Sequence, residues 1–141
     1  MFKKIMVPVD LAHFDVIEPS LQVVADQARH YEAEVCYISV TASTPGPVAH
    51  NPEEYQRKLE AFAHERAKVH GQPVNARVIT SPDPIADLDD VLVAAIDEVG
   101  AALVIMPTHP PQHLDVVIPS HGGKFATHTS ASVFLVRPRQ A

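Results

Sequence analysis

The chain has 141 residues, 46% of them hydrophobic and 20% charged, with a formal charge of −6. That composition fills one compact core and excludes global disorder. The acidic balance speaks against a nucleic-acid backbone as partner, and no apolar run approaches the roughly 20 residues that span a bilayer.

Cys36 is the only cysteine, so no intrachain disulfide forms. Its setting, "EVCYISV", predicts a buried structural thiol. The opening "MFKKIMVPVD" is too short and too soon interrupted for a signal peptide. The chain is expected to be soluble and cytoplasmic, with no membrane partner.

"KKIMVPV", residues 3–9, is the first predicted strand. Pro19 suits the first turn of the following helix, whose face carries Leu21, Val24, Ala25 and Ala28 at helical spacing. "EVCYISV", 34–40, is the second strand, and a loop, "TASTPGPVAH", follows. Asn51 and Pro52 form an N-cap and first-turn pair, with Glu53 and Glu54 where the helix dipole favours acids. Tyr55, Leu59, Phe62 and Ala63 make the buried face, and Gly71 marks the stop. "VNARVIT", 74–80, alternates as a third strand. Leu88, Val91, Leu92, Ala95, Ile96 and Val99 keep helical spacing, and Gly100 stands just past the end. Asp83, Asp87, Asp89 and Asp90 cluster at its start, as a solvated helix N-terminus rather than a metal site. "ALVIMP", 102–107, is a continuous apolar run typical of a strand buried on both faces. A short, glycine-weakened helix over about 120–130 leads to the last strand, "SVFLVRP".

The order β-α-β-α-β-α-β-α-β predicts a doubly wound α/β fold over a single domain, 1–141. We expect five parallel strands in the order 3-2-1-4-5, with the helix at 88–99 packed through Leu88, Leu92, Ala95 and Val99. Ligands of such sheets bind beyond the carboxyl ends of the strands, where the strand order reverses. Asp10 and residues 107–110 stand at two such ends. As a plain turn former, Asp10 also suits an N-cap.

The stretch "IMPTHPPQHLDVVIPSHGGKF", 105–125, is the unusual one. His109 and His113 have the separation of two ligands on one helix face, but Pro110 and Pro111 disfavour a helix there, and no cysteine supports a zinc site. His121 and His128 complete this cluster, while His13, His30, His50, His64 and His70 read as surface residues. Ser120 beside His121 is not a catalytic triad, and Lys124 does not complete a phosphate-binding P-loop. One reading is a small metal- or anion-binding enzyme using His109, His113 and Ser120.

A second reading comes from a family resemblance. "KKIMVPVD", "ALVIMPTHPP" and "PSHGGKFATHTSASVFLVRP" resemble, in order and spacing, the opening strand, penultimate strand and closing segment of the universal stress protein family. The resemblance implies a Rossmann-like fold of the adenine nucleotide alpha hydrolase type and a stress-response or signalling module. It implies ATP or AMP as ligand, no metal beyond magnesium carried with the nucleotide, and at most slow, incidental ATP hydrolysis. Pro8, Val9 and Asp10 then line the adenine or ribose end, and Val40 offers its backbone to the adenine. Met106 and Pro107 lead into the phosphate loop, with His109 at the pocket rim. Pro107, Pro110 and Pro119 stand where the family's nucleotide-binding branch has glycines. Proline lacks an N–H and fixes φ, so phosphate donors are lost there. Ser120, His121, Gly122 and Gly123 still offer a hydroxyl and backbone donors. The resemblance also implies a homodimer through residues 132–137.

Overall fold

The computed structural model describes residues 1–84, 86–107 and 129–137, with the side chains of Asp15 and Val16 left aside. Strands β1 (Lys4–Pro8), β2 (Glu34–Thr41), β3 (Val74–Thr80), β4 (Leu103–Pro107) and β5 (Ser132–Val136) form one sheet. All neighbours pair in parallel, as the alternating pattern predicts, and the order β3-β2-β1-β4-β5 is the expected one. The helix expected near 120–130 lies outside the described residues.

Alternation along the strands divides the core in two. Ile5, Val7, Val35, Tyr37, Leu103 and Ile105 point to the face covered by α1 (Phe14–Tyr31) and α2 (Pro52–His70). Met6, Cys36, Ile38, Val104 and Met106 point to the other, against Leu92, Ala95 and Ile96 of α3 (Leu88–Val99). Leu88 and Val99 are half-buried at that contact. Burial pushes the Cys36 thiol up to about 11, which leaves it protonated and unreactive at neutral pH.

Local signals set the helix ends. The Asn51 side chain accepts from the Glu54 N–H at 2.8 Å, and Gly71 and Gly100 take the left-handed conformation after α2 and α3. Glu32 takes the same conformation after α1, with φ of 52°, an uncommon cost for a residue with a Cβ. Asp83 accepts from the Ala86 N–H and Asp87 from the Ser81 hydroxyl, so these acids shape the turn before α3.

Two expectations are corrected. Pro19 lies inside α1 rather than in its first turn. The 3-10 turn Leu11–His13 runs directly into α1, so helix begins earlier than the proline suggests. Beside the proline, the Ser20 hydroxyl bonds to the Ile17 carbonyl at 2.7 Å. His70 is not a surface residue: it is 2% exposed. At the end of α2 its ring turns inward, where Nδ1 accepts from the Gln72 N–H at 3.1 Å and Nε2 meets the Tyr37 hydroxyl at 3.3 Å. Burial, then the charges of Arg66 and Arg29, hold its pKa below the ordinary histidine value.

One edge of the sheet is closed by a side chain. The Gln56 amide on α2 donates to the Ala76 carbonyl at 2.8 Å and accepts from the Val78 N–H at 2.9 Å. It occupies the place of a neighbouring strand along β3. At the opposite edge, Phe134 of β5 is 41% exposed.

Candidate functional site

The sheet opens where its strand order reverses. β1 pairs with β2 over five positions, from Lys4↔Glu34 to Pro8↔Ile38. It pairs with β4 over only two, Ile5↔Leu103 and Met6↔Val104. Proline explains the difference. In a parallel ladder, alternate residues bond to alternate neighbours. Lys3 and Val9 bond to β2, through Glu34 N–H to Lys3 carbonyl and Val9 N–H to Ile38 carbonyl. Lys4 bonds toward β4, through the Ala102 N–H. Pro8 falls in the second set, so the donor it lacks is one that would have faced β4. The two strands part there, and the crevice predicted for this sheet lies between their ends.

The chain after Pro8 turns sharply. Val9 is buried, and its carbonyl receives the Ser39 hydroxyl at 2.7 Å. Asp10 then caps the 3-10 turn, with Oδ1 accepting from the Ala12 N–H at 2.9 Å and Oδ2 2.8 Å from His13 Nδ1. Asp10 thus forms the turn after β1, and its side chain remains exposed. The Leu11 N–H donates to the Tyr55 hydroxyl of α2 at 3.2 Å.

Val40 completes the wall on the β2 side. Thr41 makes its backbone bond toward β3, through the Ser81 N–H, so Val40 directs its N–H and carbonyl to the β1 side. β1 pairing has ended by that level. Its side chain is half-buried against the second core. On the far wall, Met106 is buried and Pro107 half-buried, paired with Leu135 and Val136 of β5. Pro8, Val9, Asp10, Val40, Met106 and Pro107 thus lie at the carboxyl ends of β1, β2 and β4. His109, Pro110, Ser120, His121 and Gly122 fall outside the described residues, as do His113 and Pro119.

Sequence reasoning missed Ser39 and placed Tyr55 only in the buried face of α2. The usable signal was Ser39 itself, a hydroxyl on the strand face otherwise given to Val35 and Tyr37. Among the described residues, no three His, Cys, Asp or Glu side chains converge as a metal site. No described helix is long and apolar enough to cross a membrane. A separate open cleft of about 410 Å³ lies between β3 and α3, lined in part by Arg77, Ile79, Thr80, Val91 and Glu98.

Several solved structures share this architecture. A universal stress protein family member from Burkholderia pseudomallei superposes with a TM-score of 0.69 at 18% identity, covering 95% of each chain. A universal stress protein from Archaeoglobus fulgidus, solved in complex with dAMP, gives 0.66 at 18% identity, covering 95% of this chain and 97% of that one. A family protein from Arabidopsis thaliana with AMP bound gives 0.66 at 15% identity, covering 97% and 92%. At such identities the likeness speaks for the fold. No curated protein gives a significant match. The sequence itself matches the model of the universal stress protein family over residues 1–137, and the chain belongs to that family.

Proposed function

We propose that this protein binds an adenine nucleotide, AMP or ATP, in the crevice between β1, β2 and β4. It would serve as a stress-response or signalling module rather than by turnover. The observation that carries this reading is the opening of the sheet at its switch point, with the Val40 backbone turned toward it. The dAMP and AMP complexes of two structural neighbours support the choice of ligand. In this reading Pro8, Val9 and Asp10 line the adenine or ribose end. Met106, Pro107, His109, Pro110, Ser120, His121 and Gly122 form the phosphate side, and magnesium arrives only with the nucleotide.

Prolines at 107, 110 and 119 remove phosphate donors, each worth about 1.5–3 kcal/mol when charge-assisted. AMP or adenosine should therefore bind nearly as well as ATP. Calorimetric titrations with ATP, AMP and adenosine test this, alongside a variant carrying glycine at Pro107, Pro110 and Pro119. The variant should gain affinity for ATP selectively. Strong preference for ATP over AMP in the unaltered protein would overturn the reading of the loop.

The same reading includes a homodimer through residues 132–137, supported by the exposed Phe134 at one edge and Gln56 along the other. Phe134→Lys should yield monomers or aggregates. An unchanged dimer mass by light scattering would move the interface elsewhere.

A further inference from the structure

Two side-chain hydroxyls stand where the β1–β2 ladder would otherwise continue. In a ladder extended by one step, the Val40 N–H would bond to the Val9 carbonyl, and the Val40 carbonyl would accept from the Leu11 N–H. Neither bond is made: pairing stops at Pro8↔Ile38, although the Val9 N–H still reaches the Ile38 carbonyl at 2.8 Å. The Val9 carbonyl takes the Ser39 hydroxyl instead, at 2.7 Å, and the Leu11 N–H goes to the Tyr55 hydroxyl, at 3.2 Å. Ser39 is 1% exposed and Tyr55 6%, and they come from different elements, β2 and α2. The first takes the Val9 carbonyl out of the ladder onto a β2 side chain, and the second ties the chain beyond it to α2.

We infer that Ser39 and Tyr55 are positioning residues that keep the Val40 N–H and carbonyl unpaired with the chain after β1, so that β2 presents one donor and one acceptor to the crevice. A donor and an acceptor from one residue complement a ring edge bearing an unprotonated nitrogen beside an amino group, as in adenine. Held in the same orientation, an edge bearing a protonated nitrogen beside a carbonyl, as in hypoxanthine, would meet like groups instead. Desolvated polar groups left without partners make such a mismatch costly, so the pair would act in specificity as well as affinity. The ligand part of this inference rests on the nucleotide reading above, whereas the ladder part stands on the ligand-free protein.

The test is amide hydrogen exchange by NMR on the ligand-free protein, with Ile38 as internal reference, in the unaltered chain, Ser39→Ala and Tyr55→Phe. The Val40 amide should exchange at least about tenfold faster than that of Ile38 in the unaltered protein, the difference of one backbone hydrogen bond. Ser39→Ala frees the Val9 carbonyl to accept from the Val40 N–H, so Val40 exchange should slow relative to Ile38; in Tyr55→Phe the freed Leu11 N–H should stay protected, now by the Val40 carbonyl. Titration with AMP and IMP then reads the consequence, a loss of about tenfold in AMP affinity and a narrower gap between the two. A Val40 amide as protected as Ile38 in the unaltered protein would overturn the inference. So would Val40 exchange left unchanged in Ser39→Ala, or a Leu11 amide that loses its protection in Tyr55→Phe. If the exchange pattern holds but the unaltered protein binds no AMP, the nucleotide reading fails and the positioning role of the two hydroxyls stands.

Discussion

Replacing Gln56 with leucine tests whether a single amide closes the β3 edge. Leucine has similar size and helix propensity, so packing and α2 are little disturbed. What disappears are the bonds to the Ala76 carbonyl and the Val78 N–H, at 2.8 and 2.9 Å. A net hydrogen bond contributes about 0.5–1.5 kcal/mol, so removing both should cost about 1–3 kcal/mol. The site is half-buried, so water partly replaces the amide and the lower part of that range is expected. Urea unfolding followed by circular dichroism measures the loss, and an unchanged slope confirms that only stability has moved. A second consequence is independent of stability. An uncovered strand edge is a template for association, so the variant should gain mass with concentration in light scattering. A stability change within about 0.5 kcal/mol, with no added association, would refute the idea that Gln56 substitutes for a missing strand.

Leu92, 1% exposed beneath the sheet, should lose about 2–5 kcal/mol on truncation to alanine in the same unfolding assay, and a loss below about 0.5 would mean its face is not core. His70 should make stability fall with acid. Its pKa is lowered on folding, so the unfolded chain takes up the proton first. Its contribution is complete above the ordinary value of about 6.5 and declines as pH falls toward the folded value. Unfolding free energies across pH 5–8 should show a slope that His70→Gln reduces; an equal slope in both proteins would place the titration elsewhere. Glu32→Gly should relieve the left-handed backbone at the end of α1 and stabilise by roughly 0.5–1 kcal/mol, whereas a lower melting temperature would show that the glutamate side chain contributes there.

Much of the fold was legible because its signals are local. The span 88–99 follows from apolar spacing, and Asn51, Gly71 and Gly100 end helices through contacts or dihedral angles a few residues away. The alternation of strands and helices then leaves few sheet orders, and β3-β2-β1-β4-β5 is the one found. Pro8 is legible in the sequence as part of a strand end, but its consequence needs register. Only the pairing with Ile38 and the Ala102–Lys4 bond show that its missing donor faces β4.

The sequence by itself determined the described strands and the helices between them, in their chain order. Hydrophobic period, caps and chain connectivity are short-range properties. Only the tertiary structure decided which polar side chains reach which backbone groups. Tyr55 meets Leu11 across 44 residues, Ser39 meets Val9 across 30 and His70 meets Tyr37 across 33. Such bonds exist only after α2 has packed on its face of the sheet and β2 has found its register beside β1. Before that, nothing local marks a serine in a strand or a glutamine on a helix, and a histidine at a helix end reads as a surface residue. The packed interior makes them otherwise, because there a buried polar group must find a partner.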